Sequence, residues 1–179
     1  MTFEHDLKAA VRTIPDYPKP GILFRDITTL IGHGPGMAAT VEILAARALA
    51  MGVEGVAGIE ARGFIFGAAV AARLAVPFIT VRKPGKLPVP TISIDYALEY
   101  GTDRLEVDPT AVRAGQRVLI VDDLIATGGT AVAAVDLLRL AGATVEAALF
   151  VIDLVDLGGA QRLRDDGVMV ETLMDFPGH

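Results

Sequence analysis

The sequence contains no cysteine, which excludes disulfides, thiolate nucleophiles and cysteine-ligated metals and fits a cytosolic setting. Its three histidines, His5, His33 and His179, are isolated from one another; with no metal-ligand spacing, a zinc centre is not expected. Basic residues are scarce: 16 Lys and Arg against 22 Asp and Glu leave a net charge of -6, the wrong sign for a surface that coats nucleic acid. Any anionic ligand must be held by local features. The apolar fraction is high at 52%, with mean hydropathy +0.49. Yet Arg47, Arg62, Arg73 and Arg82 interrupt the apolar stretches before they reach the ~18 residues of a membrane span. Met1 to Arg12 carries Glu4, Asp6 and Lys8 and has no apolar signal core, so the expectation is a soluble cytoplasmic protein with no membrane or nucleic-acid partner. Internal repeats, low-complexity tracts and Ser/Gly linkers are also missing. Residues 1–179 therefore read as one domain, within the usual range of roughly 100–200 residues.

Strand and helix patterns alternate along the chain. The Ala/Leu-rich run from Met37 to Met51 predicts a helix stopped by Gly52. "VAGIE" reads as a strand, "GFIFGAAVAARLA" as a helix and "VPFITV" as a β-branched strand. After the proline-rich "KPGKLPVPT", the runs "ISIDYALEY" and "DRLEV" flank Gly101 and Thr102 as a hairpin suited to be a mobile lid. "RVLIV" is a strand, "GTAVAAVDLLRLAG" a helix closed by Gly142, and "VEAALFVI" a further buried strand. Such alternation predicts an α/β fold whose parallel strands carry ligands at their carboxyl ends.

Two chemically loaded segments fall at those ends. In "VLIVDDLIATGGT", Thr127, Gly128, Gly129 and Thr130 precede a helix, so backbone N–H groups, the helix N-terminus and threonine hydroxyls can converge on a monophosphate. The Walker A lysine and the G-x-G-x-x-G pattern are both missing. Asp122 and Asp123 would repel a bare phosphate, but they suit a ligand that also offers ribose hydroxyls or Mg²⁺. The plain alternative is a helix cap beside two solvated turn residues. In "IEARGF", Arg62 and Gly63 offer a second anion site, unless Arg62 merely pairs with Glu60 on the surface. "VRKPGKLP" adds Arg82, Lys83 and Lys86, which would otherwise be a solvated basic loop. Near the N-terminus, Pro15, Pro18 and Pro20 keep the chain extended and present Leu23 and Phe24; Phe24 is either a stacking platform for a flat base or a core residue.

"VLIVDDLIATGGT" resembles the phosphoribosyl pyrophosphate motif of the type I phosphoribosyltransferases. That resemblance implies a single-domain type I fold, a central, mostly parallel sheet flanked by helices, with a small N-terminal hood (about 1–34) and a flexible hairpin lid (about 84–103). It also implies that Ala126, Thr127, Gly128, Gly129 and Thr130 hold the 5′-phosphate while Asp122 and Asp123 face the ribose. "PDYPKPGILFRDIT", "GIEARGFIFG", "RKPGKLP" and "LEYG", in that order between about Ile14 and Leu154, resemble the adenine phosphoribosyltransferases. By that likeness Phe24 stacks on adenine, the backbone of Leu23 and Arg25 reads its edge, and Leu154 closes the other face. Arg62, Gly63, Lys83 and Lys86 bind pyrophosphate, with Arg82 reaching toward the partner subunit in a homodimer. Glu99 and Tyr100 fall on the flexible loop, Glu99 as the group that takes the adenine proton. The implied cofactor is Mg²⁺, held mainly by the substrate with no direct protein ligand assigned, and the implied substrates are adenine and phosphoribosyl pyrophosphate. A different base, 6-oxopurine or orotate, and a non-catalytic nucleotide sensor are the alternatives. Ala61 stands where some members have serine, and the C-terminal "DFPGH" carries no functional reading.

Overall fold

In the computed structural model, which describes residues 7–97 and 101–178, the proline-rich N-terminal segment is a hairpin rather than a simple extended stretch. Strands β1 (Arg12–Pro15) and β2 (Leu23–Asp26) pair antiparallel, with Arg12 opposite Asp26 and Ile14 opposite Phe24. A two-stranded hairpin alone is marginal in water, and Asp26 pins this one at its open end. Its Oδ2 accepts from Arg12 Nε at 3.1 Å, and its Oδ1 accepts from the N–H and hydroxyl of Thr28 at 3.0 and 2.6 Å. Thr28 opens the short helix α1 (Thr28–Ile31).

Helix α2 (Gly34–Ala50) starts earlier than Met37, the first residue of its Ala/Leu run. Pro35 sits in the first turn, where its missing N–H costs nothing, and His33 Nδ1 accepts from Gly36 N at 3.2 Å. After β3 (Gly55–Ile59), α3 (Gly63–Leu74) and β4 (Phe78–Val81), strands β5 (Ile92–Ala97) and β6 (Thr102–Val107) form the expected antiparallel hairpin, Tyr96 opposite Asp103. The chain continues through β7 (Arg117–Ile125), α4 (Gly129–Leu140), β8 (Thr144–Leu154), a 3₁₀ turn (Val155–Leu157), α5 (Gly159–Asp165) and β9 (Met169–Phe176). Strand β9 has no counterpart in the sequence reading.

Five parallel strands make the central sheet in the order β4-β3-β7-β8-β9. Its central strands are apolar on both faces because both faces are covered. On one face Leu119, Val121, Leu149 and Val151 pack with Leu44, Phe66 and Val70 from α2 and α3. On the other, Ile120, Ala148 and Phe150 pack with Ala134, Leu138 and Leu163 from α4 and α5. The chain runs outward from β3 to β4 and in the opposite direction from β7 to β9. The order thus reverses between β3 and β7, and at such a switch point a crevice opens beyond the strand ends.

The Asp26 carboxyl is held down to about 2 by its hydrogen bonds to Thr28 and Arg12. A depressed acid stabilises the fold above its unfolded value and loses that contribution as pH falls through the folded value. The N-terminal hairpin is therefore predicted to lose amide hydrogen-exchange protection between pH 3.8 and about 2, ahead of the central sheet, and Asp26→Asn to lose it already at neutral pH. Equal protection of hairpin and sheet over that interval would contradict the pinning role.

Candidate active site

A cavity of about 380 Å³ opens at the switch point, lined by the loop after β3 (Glu60, Ala61, Arg62), by Lys83 and by Asp122 to Ala131. Its floor is the turn from β7 into α4. Gly128 takes φ +78°, and no side chain caps α4, so the first N–H groups of that helix are left for a ligand. The turn is braced from behind by Gly159, whose N–H donates to the Ala126 carbonyl at 2.9 Å. A Cβ on residue 159 would lie 2.2 Å from that oxygen and 2.6 Å from Gly128 N, so only glycine fits. Gly159 was missed from the sequence; the Gly-Gly pair in "DLGGAQ" was the available signal.

Asp122 and Asp123 lie within β7 itself, near its carboxyl end. Asp123 is buried, and Arg62 Nε donates to its Oδ2. The surface pair of Arg62 with Glu60, considered from sequence, does not form. Glu60 instead accepts from Arg82 at 3.1 and 3.2 Å and from Lys83 N at 3.0 Å. The Asp122 Oδ1 accepts from Asp123 N at 2.9 Å. Burial, followed by the neighbouring Asp123 charge, pushes the Asp122 carboxyl well above the usual aspartate value. Gly63, the first residue of α3, makes room for it: a Cβ there would stand 2.6 Å from Asp122 Oδ1. The two loops thus interlock, and the Glu60–Ala61 peptide between β3 and Arg62 is cis.

Lys83 is the residue of the basic loop that reaches this cavity. Its ammonium donates to Asp103 and, at 3.1 Å, to the Tyr96 hydroxyl. Burial works to lower the Lys83 pKa, but the Asp103 and Tyr96 hydrogen bonds outweigh it and leave the value raised. The Tyr96 hydroxyl lies 3.1 Å from Asp103 Oδ2, and Thr130 Oγ1 is 3.4 Å from it, so the β5–β6 hairpin is tied to both anion-suited loops. Neither Tyr96 nor Asp103 was singled out from sequence; their cross-strand pairing becomes visible only in the hairpin register. Arg82 is engaged with Glu60 and with the Lys86 carbonyl at 3.0 Å. Neither Arg82 nor Lys86 lines the cavity. Glu99 and Tyr100 lie outside the described residues.

A second cavity of about 340 Å³ adjoins the first through Arg62, which lines both. Ile14, Tyr17, Phe24 and Ile27 give it an apolar wall, so Phe24 is a cavity residue rather than a core one. The Tyr17 ring meets it edge-on, with centroids 5.2 Å apart. The Arg25 guanidinium is held by Thr13 Oγ1 at 2.7 Å and the Pro177 carbonyl at 2.6 Å. Leu23, at the start of β2, and Leu154, at the end of β8, do not line the cavity.

Residues 32–175 match the family described as the phosphoribosyl transferase domain. The adenine phosphoribosyltransferase of Novosphingobium aromaticivorans is 72% identical over 97% of this chain and 98% of its own. A crystal structure of the adenine phosphoribosyltransferase from Thermoanaerobacter pseudethanolicus superposes with a TM-score of 0.91, at 45% identity, over 97% of this chain and 99% of that one. The Saccharomyces cerevisiae enzyme, complexed with adenine and an imino-altritol bisphosphate, gives 0.90 at 35% identity, over 96% and 98%. Agreement of this extent in both sequence and fold means that the chain belongs to the phosphoribosyl transferase family, in its adenine phosphoribosyltransferase branch.

Proposed function

We propose that this protein transfers the 5-phosphoribosyl group from phosphoribosyl pyrophosphate to adenine, releasing AMP and pyrophosphate in purine salvage. The observation that carries the reading is the pair of adjoining cavities bridged by Arg62: one combines paired acids with an uncapped helix start, the other has an apolar wall containing Phe24. A phosphorylated sugar fits the first and a flat base the second, with the anomeric carbon at their junction.

In this reading Ala126 to Thr130 hold the 5′-phosphate, and Asp122 and Asp123 orient the ribose hydroxyls and favour the positive charge that develops on the sugar ring. Arg62, Gly63 and Lys83 face the pyrophosphate, joined by Lys86 from the neighbouring loop. Arg82 has its turn with Glu60 to keep and serves a homodimer partner's site. Phe24 stacks on the base beside the backbone of Leu23 and Arg25, Leu154 closes the opposite face, and Glu99 takes the proton. The loop from 84 to 103, including Tyr100, excludes water, which would otherwise intercept the cationic sugar. Mg²⁺ prefers hard oxygen ligands; Asp122 and Asp123 offer them, while no group of three or more His, Asp or Glu that could hold a metal occurs among the described residues. We assign the ion mainly to the substrate, where it would neutralise charge on the leaving pyrophosphate. A cytoplasmic setting is part of the same proposal; among the described residues no helix is long and apolar enough to cross a membrane.

Pyrophosphate release from phosphoribosyl pyrophosphate and Mg²⁺, with adenine, hypoxanthine, guanine or orotate offered in turn, tests the reaction. Turnover with adenine alone is expected; preference for another base overturns the base assignment, and binding without turnover overturns the activity. Asp123→Asn is predicted to lower kcat on the order of 100-fold with a much smaller loss of stability; wild-type turnover in the folded variant would refute its role. The raised Asp122 carboxyl favours folding while protonated and opposes it as pH rises through its folded value. Asp122→Asn should therefore raise Tm at mildly alkaline pH, with the gain shrinking on acidification, while depressing activity. A Tm gain independent of pH would exclude this origin.

A further inference from the structure

Within the C-terminal "DFPGH", for which the sequence offers no role, residues 176–178 join strand β2, which carries Phe24, to the end of β8, which carries Leu154. Arg25 follows Phe24 on β2, so whatever holds the Arg25 side chain also holds the backbone that carries Phe24. Besides Thr13 on the neighbouring strand, that holding comes from the tail. The Arg25 guanidinium donates to the Pro177 carbonyl at 2.6 Å and lies 4.8 Å from the centroid of the Phe176 ring. On the other side, Phe176 is the ladder partner of Leu154, and Gly178 N donates to Asp156 Oδ2 at 2.7 Å in the turn that follows Leu154. Gly178 takes φ +80°, and a Cβ there would stand 3.3 Å from Leu23 Cδ1. Residues 176–178 therefore hold Arg25, next to Phe24, and are joined both to Leu154 and to Asp156 in the turn after it.

We infer that Phe176 to Gly178 form a positioning strap that fixes the spacing between Phe24 and Leu154 and thereby sets the affinity for the base. The inference rests on the proposed adenine site and adds a determinant, Phe176 to Gly178, that lines neither cavity and acts through Arg25, which lines the apolar one. Phe176 belongs to the core and is buried, which anchors the strap to the sheet. The N-terminal hairpin has only two strands and gains a long-range tether through Arg25. A change in the strap should move the hairpin and leave the ribose-phosphate cavity in place, because none of Phe176, Pro177 and Gly178 lines that cavity.

Steady-state kinetics of the full-length protein, with adenine and phosphoribosyl pyrophosphate varied separately, tests this. Asp156→Ala is expected to raise the adenine KM about fivefold, the scale of one hydrogen bond, and to leave the phosphoribosyl pyrophosphate KM within about twofold. Asp156→Asn keeps an acceptor oxygen and should stay near wild type. Arg25→Met should raise the adenine KM as well, and the double variant Arg25→Met with Asp156→Ala should be no worse than Arg25→Met alone, since both cut the same strap. An unchanged adenine KM in Asp156→Ala, a parallel rise in both KM values, or additive effects in the double variant would each overturn the strap while leaving the adenine activity standing. Wild-type protein that turns over no adenine would overturn the base assignment and this inference with it.

Discussion

The ion pair between Arg62 and Asp123 is the constraint on which the site is organised. Strand β7 runs through the middle of the sheet and carries two adjacent carboxylates toward its end. Burying like charges side by side is costly unless one is neutralised or paired. Here both remedies operate: Asp123 receives Arg62, and Asp122 is pushed toward its protonated form. Arg62 sits just before α3 and lines both cavities. The guanidinium that makes the acids tolerable in the fold is therefore also the wall shared by the two cavities.

The remaining geometry follows from bringing loops from β3, β4 and β7 close together at one end of a parallel sheet. Side chains at the points of closest approach are impossible. Gly63 admits Asp122, and Gly159 admits the Ala126 carbonyl. The acid pair and the cradle are thus held by neighbours that contribute nothing except the absence of a Cβ, together with a backbone hydrogen bond from Gly159. The β5–β6 hairpin is fastened differently, through the polar contacts of Tyr96 and Asp103 with Lys83.

What the sequence made legible was local. The thirteen residues "VLIVDDLIATGGT" contain a strand, its acids, a turn and a helix start in one stretch, and apolar runs separated by helical patterns are sufficient to predict a parallel sheet. Features that depend on distant partners were not legible. The proline-rich segment reads as extended chain, yet it is a hairpin whose tether lies 152 residues away in the Arg25 to Pro177 bond. The partner of Arg62 was sought in Glu60, close in sequence, whereas the fold supplies Asp123 from the adjacent strand. Strand β9 was missed because the motifs read from the sequence end near Leu154, and its pairing with β8 is a property of the assembled sheet.

The tight seat of Gly159 against the cradle implies a division of labour between main chain and side chains. The floor of the first cavity is backbone against backbone at Gly128 and Gly159, so its shape depends on the absence of a Cβ there more than on side-chain chemistry. The second cavity takes its apolar wall from the side chains of Ile14, Tyr17, Phe24 and Ile27, of which Ile27 is also a core residue. On the function proposed above, exchanging Ile14, Tyr17 or Phe24 would retarget the acceptor while the backbone-built cradle is carried along unchanged.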